Sequence, residues 1–123
     1  MPYVQISINE GKERSYLENL SGIIHTAMIE TIDCPEEVLY HTINELKPNQ
    51  MIFKSEFRGM QRSADMIFIQ MILKEGRTAE KKNAMYKKIT SDLHKSLGLR
   101  KEDIFISVTE NSGADWYFGS PGE

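Results

Sequence analysis

Val4-Gln-Ile-Ser-Ile-Asn-Glu-Gly-Lys12 falls on Ile69-Gln-Met-Ile-Leu-Lys-Glu-Gly-Arg77 when the chain is shifted against itself by 65 positions (69 − 4 = 65), with no gap. Apolar residues coincide at Val4/Ile69, Ile6/Met71 and Ile8/Leu73, and Glu10-Gly11 coincides with Glu75-Gly76. The same shift lays Leu20, Ile24, Met28 and Ile32 on Met85, Ile89, Leu93 and Leu97, and Leu39 to Glu45 on Ile104 to Glu110. One supersecondary unit is therefore used twice. Residues 3–8 alternate apolar and polar with period two, which predicts a half-buried strand. Residues 14–32 carry apolar groups at spacings of three and four, which predicts a helix ended by Pro35. Leu39-Tyr40-His41-Thr42-Ile43 reads as the strand that follows. The second copy predicts a strand over 66–73, a helix over 78–97 capped by Gly98, and a strand over 104–109.

Parallel strands joined by a helix cross over right-handedly, so each copy is a βαβ unit. The expected fold is α/β (α+β), a four-stranded sheet with both helices on one face. It forms a single domain over 1–123, with repeats 2–45 and 67–110, a connector 46–66 and a C-terminal tail 111–123. The apolar piece Met51-Ile52-Phe53 in the connector is read as a short hairpin. The uncovered sheet face is expected to carry too many apolar residues for water, and oligomerisation is its natural cover.

Composition narrows the function. The chain has 123 residues and a formal charge of 15 − 18 = −3, without the basic excess of a nucleic-acid binder. One cysteine, Cys34, excludes an internal disulfide and a Cys-rich zinc site. No apolar run reaches the length of a membrane span, and the first residues lack the shape of a signal peptide. A soluble cytoplasmic protein is expected.

Pro2 is the most informative position. A small residue after the initiator Met normally allows that Met to be removed, which leaves Pro2 as a free secondary amine, a rigid base. The competing reading is that Pro2 merely begins the chain. Its mate in the second copy is Ile67, whose nitrogen is an internal amide, so only one of the two pseudo-equivalent sites can hold a base. Arg77 opens the second helix and can grip a carboxylate with two parallel hydrogen bonds. Lys74 stands beside it as a point charge, and a helix N-terminus itself attracts anions. A cation in a dry pocket also lowers an amine pKa towards neutrality, as a general base requires. Solvated loop charges are the alternative reading of both cations.

These features, with Glu10-Gly11, His25-x-Ala27-Met28, Pro35, Tyr40, Pro48-x-x-Met51, Arg62-Ser63 and Glu110-Asn111-Ser112-x-Ala114-Asp115-Trp116-x-Phe118-Gly119, resemble the tautomerase superfamily. Within it they are most similar to the malonate semialdehyde decarboxylase branch. The resemblance implies a homotrimer of two-βαβ subunits acting on a small carboxylate without cofactor. It implies Pro2 as the acid/base group, Arg77 as the carboxylate clamp and Lys74 near the place of a second arginine. Trp116 and Phe118 match aromatic residues of the branch's apolar pocket wall. One position departs: Val38 stands where the branch has an aspartate that acts with the proline in decarboxylation and in activating water.

The expected activity is thus keto–enol tautomerisation of a 2-oxo acid such as phenylpyruvate. A malonate semialdehyde-type decarboxylase or hydratase is one alternative. A non-catalytic interaction protein is another, since the superfamily includes macrophage migration inhibitory factor. His25, His41 and His94 share no metal-ligand spacing with carboxylates, so no metal is expected. Cys34, just before Pro35 at a helix end, reads as an inert small hydrophobe. Arg62 is a further candidate anion contact, against a solvent-facing reading, and Asp33 to Glu37 reads as a solvated turn.

Overall fold

The computed structural model describes residues 2–122; the fate of Met1 lies outside them. In chain order the main elements are β1 (Tyr3–Asn9), α1 (Arg14–Ile32), β2 (His41–Leu46), β3 (Glu56–Phe57), β4 (Met60–Gln61), β5 (Ile67–Lys74), α2 (Ala79–Leu97) and β6 (Ile104–Asn111). Four strands form a mixed sheet in the order β2-β1-β5-β6. Both helices pack on one face through Leu20, Ile24 and Met28 of α1 and their mates Met85, Ile89 and Leu93 of α2, all fully buried.

The strand register makes the two units geometrically equivalent. Val4 pairs with His41 and Ile67 with Ile104, each 37 residues on (41 − 4 = 37, 104 − 67 = 37). Between the units β1 runs antiparallel to β5, and Gln5 pairs with Gln70. Those two glutamines are themselves 65 residues apart (70 − 5 = 65), so a pseudo-twofold axis passes through their pair. The helix ends obey the same shift. Gly98 caps α2 with φ 69°, and Asp33 caps α1 with φ 58°, both left-handed. An aspartate tolerates that conformation less well than a glycine, and here it is held by an ion pair with Lys81.

Three expectations need correction. The second strand begins at His41, not Leu39, because the ladder with β1 starts at the Val4–His41 pair. Leu39 and Tyr40 precede it, 53% and 48% exposed. The connector hairpin lies at β3–β4 rather than at Met51-Ile52-Phe53. Its two-residue loop is Arg58-Gly59, with φ 51° and 83°, the positive pair that a tight type I′ turn needs. The arginine hid that signal. The uncovered sheet face is more polar than expected, with Gln5, Ser7, Thr42, Gln70, Ser107 and Thr109 on it, and its aromatic surface gathers at Phe68 and Phe105.

β2 is tied to α1 by a histidine pair. His41 Nδ1 lies 2.8 Å from Ser21 Oγ, and its ring meets that of His25 edge-on at 6.1 Å. His25 Nε2 in turn donates to the Val38 carbonyl at 2.9 Å. Burial, with a smaller contribution from His25, pushes the His41 pKa down to about 4. The unfolded chain therefore binds this proton at a higher pH than the native one. Stability is expected to be full above about pH 6.5 and to fall as pH drops towards 4. Urea titrations of wild type and His41→Gln check this: the variant should lose that part of the pH dependence, and an unchanged profile would contradict it.

Candidate active site

One end of the sheet collects the start of β1, the residues before β2, the ends of β5 and β6, and the tail. Pro2 sits there, buried, one residue ahead of β1. Its neighbour strand is fixed close by, because Val4 N–H donates to the Tyr40 carbonyl at 2.9 Å. Tyr40 is stacked on Phe118 (ring centroids 6.0 Å), and Phe118 on Trp116 (5.6 Å). Three aromatic rings thus form a continuous wall. The wall is fastened at its far side, where Trp116 Nε1 donates to Asn111 Oδ1 at 2.6 Å. A single turn at Gly113–Asp115 aims the tail back over the sheet, closed by Ser112 N–H and Oγ, both 2.9 Å from Asp115.

Lys74 is the last residue of β5 and pairs with Asn111, the last of β6. Its side chain lies along the tail turn: a Cβ on Gly113 would stand 3.4 Å from Lys74 Cε and 3.5 Å from Nζ. Arg77 follows the Glu75-Gly76 corner, with Gly76 at φ 117°, a conformation suited to glycine. The Arg77 Nε donates to the Ile32 carbonyl and Nη1 to the Lys74 carbonyl, each at 3.0 Å. Arg77 therefore satisfies a carbonyl in the last turn of α1 and pins it to the end of β5. Two of the five guanidinium donors are used in this way, and among the described residues Nη2 has no hydrogen-bond partner.

Val38 and Cys34 back this region. Val38 is 8% exposed and its side chain is apolar; its carbonyl accepts from His25 and, at 3.7 Å, from the Cys34 thiol, and its N–H donates to the Pro35 carbonyl at 3.0 Å. Burial raises the Cys34 pKa, against an opposing pull from Arg77, so the thiol stays protonated near neutrality. At the outer rim the Lys82 ammonium, 2.6 Å from Glu110, holds that carboxyl below its usual range. Among the described residues no group of three or more His, Cys, Asp or Glu side chains is placed to hold a metal. Among the same described residues no helix is long and apolar enough to cross a membrane.

Pro2, Lys74, Arg77, Trp116 and Phe118 thus gather at one end. Arg62 does not join them. It bonds Met66 Sδ and the Glu102 carbonyl, beside the start of β5, and the eight-residue strand puts it about 20 Å from Lys74. Two residues of the site were quoted from the sequence only as part of the resemblance and given no role: Tyr40, which was read into the second strand and stacks on Phe118, and Asn111, from which Trp116 hangs.

Two family profiles, both described as tautomerase enzyme, match residues 39–119 and 2–58. The chain belongs to the tautomerase family. The probable tautomerase YusQ of Bacillus subtilis (strain 168) is 38% identical over 120 residues, covering 98% of this chain and 94% of the relative. The probable tautomerase YrdN of the same organism is 29% identical, covering 97% and 92%. Among solved structures, a malonate semialdehyde decarboxylase studied for its decarboxylase and hydratase activities superposes with a TM-score of 0.89 at 26% identity, over 96% of this chain and 91% of that one. The mixed sheet with two helices is the fold of these neighbours.

The Asn111–Trp116 bond is open to a direct test, since Trp116 is the one tryptophan of the sequence. Asn111→Ala is expected to shift Trp116 emission to the red and to cost about 1 kcal/mol. Unchanged emission would mean that the wall does not hang from Asn111.

Proposed function

We propose that the chain is a cofactor-independent tautomerase of 2-oxo acids such as phenylpyruvate, acting through Pro2 as a free N-terminal amine after removal of Met1. The observation that carries this reading is the convergence of buried Pro2, the Lys74–Arg77 cation pair and the Tyr40–Phe118–Trp116 wall at one end of the sheet. In the reaction the substrate carboxylate rests on the free edge of Arg77 with Lys74 nearby, and its aryl group lies along the aromatic rings. The neutral Pro2 nitrogen accepts the proton of the enol hydroxyl. As the carbonyl forms, the electron pair of the C=C bond takes that proton at C3, and the amine is regenerated. No electrons enter or leave, so no redox partner is required. A base and an anion clamp suffice.

A decarboxylase reading draws support from neighbours of that activity at a TM-score of 0.89. The apolar Val38, with no carboxylate to orient water or take a proton, weighs against it. Open clefts of about 360 and 480 Å³ lie along the helices rather than at Pro2. A pocket closed by neighbouring subunits is consistent with that, and fold neighbours of 17–18% identity include trimers. We therefore expect a homotrimer.

Phenylenolpyruvate ketonisation tests the roles. Pro2→Ala should lower kcat by at least ~10²-fold; a smaller loss would remove Pro2 from the mechanism. Arg77→Ala should raise KM about tenfold and lower Tm as well, because it strips donors from two backbone carbonyls. A loss confined to kcat would contradict the clamp. Val38→Asp should bring decarboxylase or hydratase activity towards malonate semialdehyde, and an inert variant would place the difference between the branches elsewhere.

A further inference from the structure

The two parallel ladders of the pseudo-twofold pair do not open at the same rung. In the second unit the ladder opens at Ile67–Ile104, whose mates at the 65-residue shift are Pro2 and Leu39 (67 − 65 = 2, 104 − 65 = 39). In the first unit it opens two rungs later, at Val4–His41. Pro2 has no amide N–H to put into a ladder, and Leu39 and Tyr40 are left outside the regular pairing. The turn before the strand is nevertheless the same in both units. Val38 N–H donates to the Pro35 carbonyl and its mate, Asp103 N–H, to the Arg100 carbonyl, each at 3.0 Å.

At the Pro2 end a side chain stands in for the missing rungs. His25 Nε2 lies 2.9 Å from the Val38 carbonyl. A carbonyl only accepts, so Nε2 carries a proton there, and it does so whether the ring is neutral or charged. The Cys34 thiol takes up the same oxygen at 3.7 Å. Two residues on, the Tyr40 carbonyl accepts from Val4 N–H at 2.9 Å, and the Tyr40 ring stacks on Phe118. A chain of contacts therefore runs from α1 through His25, Val38 and Tyr40 to the start of β1 and to the wall. The second unit forms its turn without a histidine tie. The mate of His25 is Thr90 (25 + 65 = 90), whose hydroxyl donates to the Tyr86 and Lys87 carbonyls of its own helix. There the turn is held by the Asp103 carboxylate, 2.6 Å from Ser63 Oγ in the connector. The βαβ unit as such does not require a histidine at this place; the tie goes with the end that holds Pro2.

We propose that His25 is a positioning residue of that end: through the Val38 carbonyl it holds Tyr40 in the aromatic wall and against the start of β1. It touches no reacting atom and passes no proton. Its effect on turnover rests on the tautomerase reading, but the tie itself does not.

Hydrogen exchange of the Val4 amide, followed by NMR on the full chain without substrate, reads the tie directly, because its acceptor is the Tyr40 carbonyl. His25→Leu removes the donor. His25→Asn keeps the position polar, but its amide reaches only as far as Nδ1; His25→Gln sets an amide nitrogen where Nε2 stands. The leucine and asparagine variants should exchange Val4 about fivefold faster, the scale of one hydrogen bond, with the amides at the centre of β5 unchanged. The glutamine variant should keep the wild-type rate. In phenylenolpyruvate ketonisation the first two should raise KM about fivefold, the scale of one aromatic contact, with kcat little changed. The glutamine variant should keep both constants and the pH profile of kcat. Should the leucine variant fail to fold, the asparagine and glutamine variants make the same comparison. Unchanged Val4 exchange in the leucine and asparagine variants overturns the proposal, as does exchange that quickens equally in β5, or a glutamine variant as impaired as the leucine one. A pH profile displaced in the glutamine variant overturns it too, and would make His25 a proton-transfer group. A wild type without ketonisation activity would sink the tautomerase reading alone, and Val4 exchange would still decide the tie.

Discussion

The antiparallel ladder between β1 and β5 is the constraint on which the rest of this molecule depends. Each βαβ unit is internally parallel, and alone it would offer an unpaired strand edge. Joining the units with Gln5 opposite Gln70 closes the two inner edges against each other and sets both helices on one face. A slip by one residue would turn Val4, Ile6 and Ile8 away from the helices, so the buried stripe and the register enforce each other. The same pairing puts the start of β1 beside the end of β5. That is how Pro2 comes to share one end of the sheet with Lys74, 72 residues later (74 − 2 = 72).

A twofold-repeated scaffold offers two like ends, and the sequence has made them unlike. One end has the imino acid, two cations and a tail of aromatic residues. The other has an internal amide, three phenylalanines and a buried aspartate turned to holding the connector. Arg77 illustrates how structure and chemistry are combined in one side chain. Its two bonds to backbone carbonyls fix the guanidinium plane, which costs part of its donor capacity but removes the rotational freedom that a free arginine would lose on gripping a ligand. Val38, at the position where the resemblance implies an aspartate, is buried and apolar.

Much of this was legible in the sequence because it is carried by local periodicity. The helix α1 was read to the residue, and the strands β1, β5 and β6 to within two, since each has an alternating or 3.6-residue pattern and a nearby breaker. β2 was misread at its start because Leu39 and Tyr40 have strand-forming side chains, yet the ladder that defines the strand is a tertiary fact. The β3–β4 hairpin was missed because an arginine occupies a positive-φ position that normally advertises itself with Asn or Gly. The site was legible as a set of residues but not as an arrangement. Nothing in the spacing of Asn111 and Trp116 announces a hydrogen bond, and nothing in Arg77 announces that it also caps α1. Arg62, adjacent in the chain to the second repeat, is carried to the opposite end by strand direction alone.

The activity proposed for this chain rests on a free secondary amine at Pro2. The most direct measurement is the rate of phenylenolpyruvate ketonisation by protein whose intact mass shows Met1 removed, set beside the same chain with Met1 retained. Rapid ketonisation is expected from the first and, since an acylated nitrogen cannot take a proton, none above background from the second. Equal rates in the two samples would contradict it.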